Sequence, residues 1–345
     1  MAAVKGKSMA VESSAIAAPL LAWYARARRD LPWRRSRDPY AVWVSEIMLQ
    51  QTQVERVRDF FVRFMERFPT VQALAAAREP TVLKHWEGLG YYRRARQLHA
   101  AAKQIVAGHG GAFPRSVEGL LSLPGIGRYT AGAVASIAFD LPAPIVEANS
   151  RRAIARLVGY AAPLDGPGGD EPIWEIAARL VPNKHPGRFN QALMDLGAMV
   201  CTPRQPLCSR CPLAQVCVAH QTNRVESIPA QARRREVKQL RETAAVVRHG
   251  DAVLVARRRP GEWWEGLWDF PRVTGAAARR GRRLGLVAYS VTHHRIECTV
   301  REQVVPRRTK PAAGQRWVKI TGLESLAMTA PGRRIAAIAA APERP

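Results

Sequence analysis

Two carboxylates and four thiols stand out from this chain because of what surrounds them. Glu46 lies in "PYAVWVSEIML", with Val42, Trp43 and Leu49 three or four residues away on a helical period. A carboxyl desolvated by such neighbours has its pKa raised and can serve as a general acid near neutral pH. The plainer alternative is a helix glutamate paired with an arginine. Glu147 is the one acid in "APIVEANSRRAIARL", with Asn149 two positions on and Arg151 and Arg152 just beyond. Cys201, Cys208, Cys211 and Cys217 crowd into "CTPRQPLCSRCPLAQVC", separated by six, two and five residues. In a reducing compartment this density favours metal ligation by thiolates over disulfides. All-thiolate sites suit zinc or an iron–sulfur cluster, and spacing alone does not separate the two. Cys298 stands alone in a β-rich run and reads as a small core residue.

The elements that must position these groups follow from periodicity. Apolar residues recur every three or four positions over 14–29, 40–50, 52–67, 70–76, 79–86, 92–108, 116–121 and 128–138, and again over 147–159, 171–181 and 187–199, which predicts helices. In "LPGIGRYTAGAVA", Gly125 and Gly127 fall between two helical stretches. Glycine there permits a tight turn whose following amides can face a phosphate; read alone, the pair is only a turn. After Cys217 the composition changes, and 219–240 reads as a basic linker. Beyond it, "TAAVVRHGDAVLVARRR" is a hairpin signal around "RHGDA". "GLVAYSVTHHRIECTVREQVV" and "QRWVKI" supply further strands, and the intervening "GAAARRGRRLG" reads as a loop with solvated arginines. The expectation is a flexible 1–13, a mostly α region over 14–218 and a small α+β domain over 241–345.

Composition narrows the partners. Lys and Arg number 53 against 28 acids, a net charge of +25. Such an excess implies a polyanion, and the arginine-to-phosphate logic favours nucleic acid over an anionic membrane. No apolar run reaches the roughly 18 residues that cross a bilayer, and 1–12 lacks the apolar core of a signal peptide. A cytoplasmic protein with reduced thiols is expected.

The cysteine spacing, directly after "RFNQALMDLGAMVC", resembles the four-iron, four-sulfur loop of the endonuclease III and MutY branch of DNA glycosylases. "LPGIGRYTAGAVA" is similar to the helix–hairpin–helix of that superfamily, and "LPWRRSRDPYAVWVSEIMLQQTQV" is similar to the MutY-type adenine DNA glycosylases. The resemblance covers about 19–218 and implies two helical subdomains with an iron–sulfur loop, whose one 4Fe-4S cluster is structural and orders a basic loop against DNA. It implies that Glu46 protonates adenine, that Trp33, Arg34, Leu49 and Gln191 form the base pocket, and that Gln51 and Tyr91 of "GLGYYRRARQLH" enter the DNA stack. It implies that amides near Gly125 and Gly127, with a bound monovalent cation, grip a phosphate. Bifunctional relatives carry a lysine where Tyr129 stands, and a phenol cannot form their imine; a monofunctional enzyme follows.

At the position of Glu147 the family keeps an aspartate, in a D-G-N string that reads Glu147-Ala148-Asn149 here. N-glycosidic cleavage builds positive charge on the sugar, so a second carboxylate stabilises or attacks it. The resemblance gives this role to Glu147, with Asn149 and Tyr129 orienting it and the attacking water, and leaves Arg151 and Arg152 for the DNA backbone. One extra methylene adds roughly 1.5 Å of reach, which must be absorbed somewhere. "LVARRRPGEWWEGLWDFPRV" looks like the opening of the Nudix-related domain of these proteins. No acidic Nudix box follows, so pyrophosphate hydrolysis is not expected. "VTHHRI" resembles the family's lesion-reading F-S-H turn, with Thr292 and His293 at its Ser-His positions and Val291 in place of the aromatic; the domain is shorter than usual.

The sequence thus points to a base-excision-repair enzyme hydrolysing adenine mispaired with 8-oxoguanine or guanine. Its expected partner is double-stranded DNA, as a monomer associated with the nucleoid. A mismatch glycosylase of another base or opposing-base preference, and a non-catalytic lesion-binding protein, are the alternatives.

Overall fold

The computed structural model describes residues 13–166, 168–230 and 236–341. The expected flexible segment 1–13, apart from Ser13, and residues 231–235 of the expected linker lie outside the described residues. The chain folds as two compact units, 1–75 with 100–233 and 76–99 with 234–345.

In the first unit the helices are α1 (Ser13–Ala27), α2 (Pro39–Leu49), α3 (Val54–Arg67) and α4 (Val71–Ala76), followed after α5 (Glu79–His85) by α6 (Arg93–His109), whose first turns belong to the second unit. Then come α7 (Val117–Leu121), α8 (Arg128–Phe139), α9 (Ala148–Val158), α10 (Glu171–Leu180), α11 (Pro186–Met199) and the short α12 (Val218–Gln221). Helix α2 starts where Asp38 accepts a hydrogen bond from the Tyr40 amide at 3.1 Å and Pro39 fills the first turn, a favoured N-terminus. Tyr40 through Met48 are all buried, so α2 is a central helix without a solvent face. It packs on α8, where Thr130 through Ile137 are buried and mostly small. A further core joins Ile16, Leu20 and Tyr24 of α1 to Ile154, Phe189 and Leu196.

The second unit holds a seven-stranded sheet. Its strands are β1 (Lys238–His249), β2 (Ala252–Arg257), β3 (Trp268–Asp269), β4 (Arg272–Val273), β5 (Arg282–Val291), β6 (His294–Val304) and β7 (Gln315–Lys319). The main order is β3-β2-β1-β6-β5, with β4 also on β1 and β7 on β2. β1 and β6 run parallel, and the other pairs are antiparallel. Ile296, Cys298 and Val300 alternate inward along β6, as the two-residue period requires, which makes Cys298 the core residue expected. Helix α13 (Ala330–Ala340), absent from the sequence expectation, packs Ile335 and Ala339 on this core.

Three expectations need correction here. The "GAAARRGRRLG" segment is not all loop: Arg282 opens β5, opposite Glu302, and its guanidinium meets that carboxylate at 2.8 Å beside Arg248 at 2.7 Å. A buried acid awaiting a cation turned part of a solvated run into a strand. The expected linker also ends early, since β1 begins at Lys238. Residues 76–99, expected within the helical region, group with the sheet unit. There Arg333 grips both Glu87 carboxylate oxygens, and the Lys84 ammonium reaches the Leu326 carbonyl at 3.4 Å.

Candidate active site

Glu46, Tyr129, Glu147 and Asn149 line one cavity of about 420 Å³ together with Trp33, Arg34, Leu49, Gln51 and Gln191. These positions come from five separate stretches of chain, and the first unit brings them to one place. Glu46 projects from α2 and is 4% exposed. Burial pushes its carboxyl up to about 7; a hydrogen bond from Tyr129 and the charge of Arg34 oppose that rise, and the charge of Glu147 adds to it. The Tyr129 hydroxyl donates to Glu46 Oε2. Burial first, then the charge of Glu46, hold that phenol well above the ordinary tyrosine range, so it remains a donor.

Glu147 solves its extra methylene by folding back on its own helix. It is the N-cap of α9, with Oε2 accepting from the Asn149 amide at 2.8 Å and Oε1 from the Ser150 amide at 2.7 Å. The Ser150 hydroxyl accepts from the Glu147 amide at 2.9 Å, which closes a reciprocal capping box. Helix N-termini stabilise anions through these amides and the helix dipole. Gly197 of α11 presses on this corner: a Cβ there would lie 2.6 Å from the Asn149 carbonyl oxygen. Only glycine allows α11 so close.

Three details add to the sequence reading. Tyr129 contacts Glu46 and not Glu147, because the α8 phenol points across to α2. The side chain of Asn149 accepts from Arg152 Nη2 at 3.0 Å. Arg151 and Arg152 have partners within the chain: Arg151 reaches the Leu164 carbonyl and the exposed Asp165, while Arg152 also holds the carbonyls of Gly197 and Cys201. Bare carbonyls at the ends of neighbouring elements claim these donors.

The sequence reading also missed Asp195, which is fully buried and holds the pocket wall. Arg34 meets its two carboxylate oxygens at 2.6 and 3.1 Å, and Arg29 Nε donates to it at 2.8 Å. A lone acid in the apolar run "FNQALMDLGAM" was the available signal. Tyr24 was missed as well; its hydroxyl donates to Gln191 Oε1 at 2.6 Å.

The four cysteines line a single cavity with apolar partners including Leu157, Leu196 and Leu213. Among the described residues no three His, Cys, Asp or Glu side chains converge as a single ion needs. Four thiols around one cavity are a donor set that an iron–sulfur cluster takes. Arg156 of α9 is 2% exposed and ties this loop down, donating to Cys201 Sγ at 3.4 Å and to the Thr202 carbonyl at 2.7 Å. The residues therefore fit an iron–sulfur group.

At the hairpin between α7 and α8, Gly125 has φ +74° and needs glycine, whereas Gly127 at −93° does not. Gly127 instead caps α8 without a side chain, leaving open space beside the first amides. Of eight non-glycine residues with left-handed backbones among the described residues, three are ones the sequence assigned to DNA: Gln51 (φ 56°), Tyr91 (φ 48°) and Thr292 (φ 53°). Such strained positions cluster at functional sites. Tyr91 is 49% exposed, while Tyr92 is buried and its hydroxyl accepts from the Gly88 amide, so one tyrosine anchors the loop and the other leaves it. Thr292 and His293 form the turn between β5 and β6, where the His293 and His294 rings lie 4.1 Å apart and His294 meets Trp263 at 5.1 Å. The 275–279 turn that follows β4 carries no carboxylate, in keeping with the missing Nudix box.

Comparison with known proteins places these observations. The profile of HhH-GPD superfamily base excision DNA repair proteins matches residues 44–165, that of the iron–sulfur binding domain of endonuclease III matches 201–217, and that of the NUDIX domain matches 243–337. Adenine DNA glycosylase of Rattus norvegicus is 39% identical over 74% of this chain, and the chain spans 60% of its length. Adenine DNA glycosylase of Buchnera aphidicola subsp. Schizaphis graminum is 34% identical over 73% of each chain. A solved thermostable thymine-DNA glycosylase is 30% identical with a TM-score of 0.55, over 61% of this chain and 97% of its own. The chain has the helix–hairpin–helix fold of base excision DNA repair proteins, with an iron–sulfur loop and a Nudix-like domain. It belongs to the adenine DNA glycosylase family, and its loop 201–217 is the site of a 4Fe-4S cluster.

Proposed function

We propose that this protein is a base-excision-repair enzyme that hydrolyses the N-glycosidic bond of adenine opposite 8-oxoguanine or guanine in double-stranded DNA and leaves the sugar uncut. One observation carries the reading: a carboxyl that titrates near 7 and a capped carboxylate line the same cavity. Protonated Glu46 gives its proton to the departing base, which takes the electrons of the glycosidic bond. The Glu147 anion faces the positive charge left on the sugar, and water adds to that carbon and releases a proton. Both Glu147 oxygens already accept an amide, which favours a fixed anion over an attacking nucleophile. Tyr129 offers no amine for an imine, which supports a monofunctional reaction.

The remaining assignments follow the family membership. Trp33, Arg34, Leu49 and Gln191 enclose the base, and Asn149 orients the water. Gln51 and Tyr91 fill the space left by flipping, since an aromatic plane replaces lost stacking. The amides after Gly125 and Gly127, with a monovalent cation, hold a phosphate. Thr292 and His293 read the opposing base. The cluster orders the loop carrying Arg204 and Arg210 against DNA, and one chain suffices.

Single-turnover base release from duplexes carrying A opposite 8-oxoguanine, A opposite G and T opposite G tests the proposal. Release of adenine, with strand breakage only after alkali, is expected. Release of thymine alone would favour the second reading, which the similarity to a thymine-DNA glycosylase motivates. Tight binding without any release would overturn both in favour of a lesion-binding protein.

A further inference from the structure

Gln191 is the one carboxamide placed on the base-pocket wall from α11, and its two ends differ in what they can read. A free carboxamide can turn over and exchange donor for acceptor, so it matches either of two opposite hydrogen-bonding edges. Here it is not free. The Tyr24 hydroxyl, from a residue 3% exposed on α1, donates to Gln191 Oε1 at 2.6 Å. Burial holds the phenol above its ordinary range despite the charges of Arg34, Arg28 and Arg188, with Asp195 adding to the rise, so the hydroxyl keeps the proton that it donates to Gln191 Oε1. Arg34 itself cannot swing across to replace the phenol, being held by both oxygens of Asp195.

We infer that Tyr24 is a positioning residue that locks the Gln191 carboxamide in one orientation and thereby sets which purine edge the cavity accepts. The inference rests on the reading of this cavity as a purine pocket. With Oε1 pinned, the amide keeps a fixed order of one donor and one remaining acceptor lone pair. Adenine presents an acceptor at N1 beside a donor at N6. Hypoxanthine presents the reverse, a donor at N1 beside an acceptor at O6. A locked amide pairs with only one of these edges; an unlocked one turns over and pairs with both. Polar groups left unpaired in a closed site are what make such discrimination strong.

The test is the Tyr24→Phe protein, which removes one oxygen and keeps the ring. Release of adenine and of hypoxanthine opposite the same base would be compared with wild type, and so would equilibrium binding of duplexes carrying the non-cleavable 2′-fluoro forms of the two nucleosides. The adenine-to-hypoxanthine ratio should fall by on the order of tenfold, while adenine release itself changes less. In a Gln191→Leu background the same change should leave the ratio untouched, because there is no amide to lock. An equal fall for both bases, with an unchanged ratio, would show a merely structural tyrosine and overturn the lock. A fall in ratio that persists in the Gln191→Leu background would overturn it as well. If wild type released neither base, the proposed activity would fail, while the binding ratio would still decide the lock.

Discussion

The cavity around Glu46 and the turn around Thr292 are built in opposite ways. In the cavity nearly every polar group has a second group holding it. Tyr129 holds Glu46, two amides hold Glu147, Arg152 holds Asn149, Asp195 holds Arg34 and Tyr24 holds Gln191. At the turn, Thr292 is exposed on a left-handed backbone, and beside it lie two imidazole rings and a partly exposed tryptophan. Bond cleavage demands groups fixed in advance, because transition-state stabilisation is lost by small displacements. Reading a base from outside tolerates a looser turn that settles on contact.

That contrast can be broken by experiment, beginning where the effect should be greatest. Glu46→Gln should lower single-turnover base release by about 10²–10⁴-fold, the usual worth of a positioned acid, while duplex binding persists; near-normal release would remove Glu46 from the chemistry. Release by wild type should also fall as pH rises through about 7, since the buried carboxyl then loses its proton. The same shift has a stability sign. Its folded pKa is raised, so the stability tied to its protonation is full below the unfolded value and is lost as pH climbs through about 7. Glu46→Gln should therefore raise the thermal midpoint at pH 8 and leave it unchanged near pH 4.

Glu147→Gln should slow release by about 10²–10³-fold, as removal of a preorganised charge does, again with binding spared. The carboxamide keeps one acceptor for the cap, so a melting curve should show only a small loss of stability. Asp195→Asn leaves Arg29 and Arg34 without their anion. Chemical denaturation should show a cost on the order of 2–4 kcal/mol, below the full value for a buried pair because Arg29 is partly exposed. An unchanged midpoint would mean that the wall is held by packing alone. Smallest is Thr292→Ala with His293→Ala, which should cut the preference for 8-oxoguanine over guanine about tenfold or less and leave adenine release from either duplex largely intact. A loss as large as that of Glu46→Gln would erase the division between a rigid cavity and a permissive turn.

Much of this was legible in the sequence, and unevenly so. The helical period marked all eleven longer helices of the first 200 residues within about two residues of their ends, because buried stripes on solvated helices leave a direct trace. Glu46 was legible for the same reason, as an acid where the stripe demanded an apolar residue. The pairings were not. Nothing in spacing shows that Tyr129 faces Glu46, or that Arg152 reaches the carbonyls of Gly197 and Cys201; the first depends on how α2 and α8 pack, the second on how α9 meets α11 and the loop after it. The start of β5 was hidden because Arg282 pairs with Glu302, some twenty positions on, and a period-based reading sees only a charged run. Residue type marks Gly125 and Gly127 alike as turn residues, and only the backbone shows that Gly125 alone of the two is left-handed.

Helix α9 carries Glu147 at its first turn and Arg152 and Arg156 further along, and those two arginines hold the backbone of the cysteine loop. One rod therefore spans the Glu147 carboxylate and the cysteine loop. A displacement of that loop's backbone is passed by a single helix to the residue that caps its far end, so the two places are mechanically joined although no bond links them directly.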